Sequence, residues 1–190
     1  MEWLSWTPHG ACFASQVVCT RVPLRFAYIR RMHSLTDSLL IRLPKHADAR
    51  GTLVVAESDV ADALPFALRR VFWIVDVPIG SERGGHAHLS CHEALVCLRG
   101  SCQVTLTASE IKHNVQQDLF GNRIETSQSV LHEREFVLDD AALALHIPPK
   151  VWCRLHSFSE DCVLVCMASE SYNPSGYIHD FEHFKTCCVL

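Results

Sequence analysis

From residue 50 onward, hydrophobic and polar positions come in short bursts bounded by Gly, Pro and Asp, the punctuation of strands and turns. Arg50-Gly51 opens a strand through Thr52-Leu53-Val54-Val55-Ala56-Glu57. Leu64-Pro65-Phe66 is a connector, and Arg69 to Val77 is rich in the β-branched and aromatic residues that pack well on a pleated surface. Ala94 to Leu98 is a short apolar run, Arg99-Gly100 is a turn signal, and Gln103-Val104-Thr105-Leu106 alternates as a strand does. Glu135 to Asp140 and Ala142 to Ile147 predict further strands. Pro148-Pro149 breaks the run, Val151 to Phe158 resumes it, and Cys162 to Ala168 predicts a buried strand. Tyr177 to Phe184 (YIHDFEHF) sets aromatic and ionic residues at helical spacing, which predicts a short closing helix.

Two regions lack a period. Met1 to Ala49 carries apolar pieces, Gln16 to Thr20 and Leu24 to Ile29, with basic residues between them, and reads as an extension packed on the rest of the fold or against a partner subunit. Ala108 to Arg134 is polar and mixed; a long hairpin loop and a lid are both open readings, with a plain surface loop favoured.

Composition narrows the class. The chain has 190 residues and a formal net charge of −4, which suits one globular domain. With no basic run it lacks the electrostatic footprint of a nucleic-acid binder. Ten cysteines fall at irregular places, several inside apolar strand-like runs, where free cysteine behaves as a small hydrophobe in a reducing compartment. No segment reaches the roughly 18 apolar residues of a membrane helix, and no basic-then-apolar leader opens the chain, so the expectation is a cytoplasmic protein without a membrane partner.

The densest chemistry lies between Gly80 and Gly100, where His86, His88 and Glu93 stand at the spacing G-x5-H-x-H-x4-E-x6-G. On a strand, successive side chains point to opposite faces, so His86 and His88 look the same way. The spacing resembles the first signature of the cupin superfamily. That resemblance implies an all-β fold, a double-sheet β-barrel or jelly roll, with a short C-terminal helix and an irregular N-terminal extension. The expected organisation is an extension over residues 1–49 and a cupin domain over 50–190, with an insertion loop at about 108–134.

A more specific resemblance rests on linked motifs in order: Arg50-Gly51-Thr52-Leu53, Leu64-Pro65-Phe66, Arg69-Arg70-Val71-Phe72, Arg83-Gly84-Gly85-His86-Ala87-His88, Ile147-Pro148-Pro149-Lys150-Val151-Trp152, and Ala168-Ser169 with Tyr177-Ile178. Together they resemble the nucleotide-sugar 3,4-ketoisomerases over about residues 50–184, excluding the insertion. The resemblance implies a homodimeric isomerase that moves the carbonyl of a dTDP-linked 4-keto-6-deoxyglucose from carbon 4 to carbon 3, without a cofactor. Such a step belongs to deoxyamino-sugar biosynthesis, on the way to O-antigen or a related polysaccharide.

That reaction needs a base for the proton at carbon 3, which the neighbouring ketone acidifies, a means of holding the enediol, and a proton for carbon 4. From the family pattern His86 is the base and His88 the second proton handler. Arg50, Arg70 and Arg83 are cationic donors for the substrate, and Phe72, Trp152 and Cys153 line its pocket by the same resemblance. Phe72 stands where the family often has tyrosine, so a phenolic hydroxyl is missing there or supplied from elsewhere. Two rival readings stay open. One is a metal-dependent cupin in which His86, His88, Glu93 and Cys153 supply two nitrogens, an oxygen and a sulfur. The other is a sugar-nucleotide-binding cupin without catalysis.

Overall fold

The computed structural model describes residues 35, 39–58, 64–117, 120 and 122–188. The apolar pieces Gln16 to Thr20 and Leu24 to Ile29 lie outside the described residues.

Two five-stranded antiparallel sheets face each other. The larger-core sheet has β1 (Leu40–Arg42), β9 (Leu143–Ile147), β6 (Glu93–Arg99), β11 (Val163–Ala168) and β4 (Arg70–Ile74), side by side in that order. The second has β12 (Tyr177–Ile178), β5 (Arg83–His88), β10 (Trp152–His156), β7 (Cys102–Gln117) and β8 (Arg123–Leu138). A hairpin of β2 (Lys45–Asp48) and β3 (Gly51–Val54) and a helix α1 (Phe181–Cys187) complete the described elements.

Alternation along the strands divides the apolar residues among three layers. Leu95, Cys97, Leu145 and Leu164 from the first sheet meet Val104, Leu106, Leu138 and Leu155 from the second in the barrel interior. Leu43, Leu64 and Phe66 cover the outer face of the first sheet over Ala94, Val96 and Met167. Phe184 of α1 covers the outer face of the second sheet over Ala87, Trp152 and Ile178. Burying a side chain the size of Leu or Phe contributes about 2 kcal/mol, so the interior layer dominates the stability of the barrel.

Three sequence expectations change on contact with this architecture. Leu40–Arg42 and Lys45–Asp48, which the sequence assigns to the extension, are strands, and Leu40 to Arg42 pair with Leu145 to Leu143 at the edge of the first sheet. The polar segment 108–134 is not a plain loop: β7 and β8 pair without a slip from Cys102↔Leu138 to Gln117↔Arg123. A two-stranded ribbon satisfies its own backbone hydrogen bonds without burying a face, so it has no hydrophobic pattern to betray it. The closing helix begins at Phe181, not Tyr177. Tyr177 and Ile178 instead pair with His88 and Ala87. Asp180 then starts the helix as its N-cap, its carboxylate accepting from the His183 N–H at 2.6 Å.

Candidate active site

Strand β5 reaches the site through a distorted start. Gly84 has φ +77°, and a Cβ there would stand 2.7 Å from the Cys153 carbonyl oxygen, so only glycine allows β5 to approach β10 this closely. The pairing of the two strands shifts at Cys153/Arg154, and beyond that irregularity His86 lies opposite Cys153 and Ala87 opposite Trp152. Directly paired residues share a face. His86, His88 and Cys153 therefore turn to the barrel interior, and Trp152 turns outward.

The facing sheet supplies the counterparts. Arg70 on β4 and Glu93 on β6 are both paired with Ala168 of the strand between them, so they lie on one face, two strands apart. Glu93 Oε1 is 3.2 Å from His88 Nε2 and 3.8 Å from an Arg70 guanidinium nitrogen. The alignment of the first contact is not that of a hydrogen bond, which leaves His88 Nε2 buried without a hydrogen-bond partner; Arg70 Nε is in the same condition. Buried polar atoms are ordinarily satisfied, so two orphans on residues that approach the same Glu93 oxygen mark a place where a polar ligand completes the structure.

The His86 ring stands edge-on to His88 with centroids 5.1 Å apart. Burial, then the nearby His88, lower the His86 pKa from the ordinary 6.5, against opposing effects from a hydrogen bond to the Gly84 backbone and from the Glu93 carboxylate. A neutral imidazole so placed has a lone pair to take a proton. Tyr177 on β12 stacks into the same group, its ring 4.4 Å from His88 and 5.0 Å from His86, with its hydroxyl 3.5 Å from Arg70. His179 lies parallel to Tyr177, and the Arg70 guanidinium covers the rings of Phe72 and Tyr172 at 5.1 and 5.7 Å.

Of the residues singled out from sequence, His86, His88, Arg70, Phe72, Cys153 and Glu93 come together. Cys153 sits among the interior residues with its thiol pKa pushed well up by burial and then by Glu93. Three others stand apart. Trp152 is buried on the outer face against Phe181 and Phe184, because its register partner is Ala87. Arg83 is exposed at the start of β5. Arg50 is exposed on the β2–β3 turn, ion-paired with Asp48, where residues 46–48 and 50–53 line an open concavity of about 380 Å³. Tyr177, Tyr172 and His179 join this group without having carried a role in the sequence pattern. Their one signal was the short Tyr177-Ile178 motif, too brief to reveal that it is a strand laid along β5.

One ligand atom each from His86, His88 and Glu93 falls within 4.8 Å of the others, a donor set of a kind that zinc or iron accepts. The surroundings do not fit a cation. The Arg70 guanidinium already stands 3.8 Å from the Glu93 oxygen a metal would use, a cation in the place of a cation. Two imidazoles, a carboxylate and a guanidinium so grouped can exchange protons and donate to a polar ligand.

Two antiparallel sheets closed on an inward-facing histidine pair define a cupin-type barrel of the sugar isomerase and epimerase kind. Within that class the chain belongs to the FdtA family (WxcM-like, C-terminal), whose model matches residues 36–125 and 123–188. It is similar to the TDP-4-oxo-6-deoxy-alpha-D-glucose-3,4-oxoisomerase of Aneurinibacillus thermoaerophilus, 35% identical over 149 residues that cover 78% of this chain and 91% of that protein. Among solved structures it is similar to QdtA, a sugar 3,4-ketoisomerase from Thermoanaerobacterium thermosaccharolyticum in complex with TDP: 30% identical, TM-score 0.61, covering 77% of this chain and 90% of that one. A histidine-to-asparagine variant of QdtA in complex with TDP-4-keto-6-deoxyglucose is 29% identical, with TM-score 0.61, covering 77% and 89%. No helix among the described residues is long and apolar enough to cross a membrane.

Proposed function

We propose that this chain is a 3,4-ketoisomerase acting on a TDP-linked 4-keto-6-deoxyhexose. The observation that carries the reading is the pair of buried nitrogens without a hydrogen-bond partner, His88 Nε2 and Arg70 Nε, beside an imidazole whose pKa is lowered. Such a site binds a polar substrate and has a neutral base ready for it.

In this reading His86 takes the proton from carbon 3. The C–H electron pair becomes the carbon 3–carbon 4 double bond, and the carbonyl π pair moves onto the oxygen at carbon 4. Arg70 stabilises that oxygen as it becomes anionic, which is where a preorganised donor lowers the barrier. The proton that His86 took returns at carbon 4, and His88, beside Glu93, passes the proton of the carbon 3 hydroxyl to the oxygen at carbon 4, so that the new carbonyl forms at carbon 3 and the new hydroxyl at carbon 4. Arg83 and Arg50 are cationic donors for the substrate, with Arg50 further out on its hairpin. Phe72 and Cys153 line the pocket. Trp152 acts from the outer face by holding β10 against α1.

The wider setting is deoxyamino-sugar biosynthesis for O-antigen or a related polysaccharide, in the cytoplasm, by a homodimer built on one barrel domain that takes in the edge strand β1, with the outer part of the β7–β8 ribbon, about residues 108–134, as its insertion. Free thiols at Cys91, Cys97, Cys102, Cys153, Cys162 and Cys166 support a reducing compartment. The dimer is supported by β4, an edge strand whose outer face leaves Val71 and Trp73 48% and 67% exposed, and sedimentation velocity tests it.

The function is tested by incubating the protein with TDP-4-keto-6-deoxyglucose and following the sugar carbons by NMR. Appearance of the 3-keto isomer is the expected result. A substrate that binds and remains unchanged would support the non-catalytic reading instead.

A further inference from the structure

We infer that Tyr177 is a catalytic residue of the isomerisation proposed above, on which this assignment rests: its phenolic O–H donates to the substrate oxygen that carries the enediolate charge. The direction of one hydrogen bond leads to this. A guanidinium has only donors, so in the 3.5 Å contact between Arg70 and the Tyr177 hydroxyl the phenol oxygen accepts. Its own hydrogen is left to donate, and it has no acceptor among the described residues. The contact is long, as catalytic hydrogen bonds often are before substrate arrives.

The ring around that hydroxyl is held from several sides. Tyr177 lies opposite His88 in the β5–β12 pairing, 4.4 Å from its ring, 5.0 Å from His86, 5.6 Å from a parallel His179 and 5.8 Å from Tyr172. A phenol so fixed has little freedom to lose on meeting substrate. Phe72, the other aromatic half-buried beside Arg70, has no hydroxyl. Tyr172 has one, but its ring is 67% exposed and reaches the histidines only through Tyr177.

The step balances without another reactant. As His86 removes the carbon 3 proton, the carbonyl π pair settles on the oxygen at carbon 4. Tyr177 donates a hydrogen bond to that oxygen alongside Arg70, whose Nε is free to donate while its terminal nitrogen donates to the phenol oxygen, spreading the charge over two groups. When carbon 4 is protonated and the carbonyl forms at carbon 3, the proton that leaves the carbon 3 hydroxyl passes to the oxygen at carbon 4, which becomes the new hydroxyl, and the phenol keeps its own proton.

Tyr177→Phe tests this, because it keeps the ring packing and removes only the hydroxyl. Loss of one preorganised donor lowers kcat by about 100- to 1000-fold. We expect that loss with KM for the nucleotide sugar, affinity for TDP and melting temperature close to wild type, and with Tyr172→Phe nearly as active as wild type. Tyr177→Phe within threefold of the wild-type kcat overturns the assignment alone, whereas an inert wild-type chain overturns both it and the isomerase reading. If Tyr177→Phe does not fold, a ring-fluorinated tyrosine at 177 keeps shape and hydroxyl while making the phenol more acidic. The alkaline limb of its kcat profile then moves to lower pH, and an unmoved limb overturns the assignment.

Discussion

The proposed role of His86 as a base rests on what surrounds it. Burial, and then the neighbouring His88, lower its pKa from 6.5, so the imidazole stays neutral to lower pH than an exposed one would. A base works only when unprotonated, and its pKa in the free enzyme sets the acid limb of kcat/KM. We therefore expect that limb to bend below pH 6.5, with more than half of the plateau value retained at pH 6.5 in a profile measured with TDP-4-keto-6-deoxyglucose. A limb bending above pH 7 would contradict the environment described for His86. At this scale the histidine pair was legible from spacing alone, because a period of two on a strand needs no knowledge of the partner strand. Glu93 was legible as a neighbour but not as the group shared by His88 and Arg70, since the facing of two sheets is not written in either strand.

The elements explain why some side chains left the site. Trp152 and Cys153 are adjacent in sequence, yet the pairing of β10 with β5 sends Cys153 inward with His86 and Trp152 outward with Ala87. The same alternation along β9 places His146 on the outer face of the first sheet. There its Nε2 lies 3.0 Å from His92 Nδ1, and the Phe66 ring packs on both. Burial and then His92 push the His146 pKa down to about 3. The unfolded chain takes up a proton at this residue near pH 6.5, whereas the native chain resists until about pH 3. Stability is thus fully present above pH 6.5 and is lost as pH falls through this window, by about 1.4 kcal/mol per unit at most. The urea midpoint should fall between pH 7 and pH 5, with a loss attributable to His146 of about 2 kcal/mol at the lower pH. His92, also lowered by burial, acts in the same direction. His146→Phe should flatten the dependence whatever it does to absolute stability, and an unchanged slope would contradict the account. The β7–β8 ribbon was the least legible element, because strands exposed on both faces carry no alternation between apolar and polar positions.

For the molecule as a whole, the barrel is a device for bringing two sheets' chemistry into one place. The second sheet contributes His86, His88 and Tyr177, the first contributes Arg70 and Glu93, and no single element holds a working set. Outside the β7–β8 ribbon, the strands between Arg70 and Ala168 were legible because they carry apolar or β-branched runs bounded by turn residues. The start of the first sheet at Leu40 and the strand nature of Tyr177-Ile178 were not, since stretches of two or three residues show no period. The central claim is that His86 performs proton transfer at the sugar, and exchange with solvent reads that transfer directly. TDP-4-keto-6-deoxyglucose is incubated in deuterated water with wild-type protein and with His86→Asn, and carbons 3 and 4 are followed by NMR. Wild type should give the 3-keto isomer with deuterium incorporated, and His86→Asn should bind TDP yet give neither exchange nor product. A His86→Asn variant that exchanges and isomerises at the wild-type rate would contradict the account.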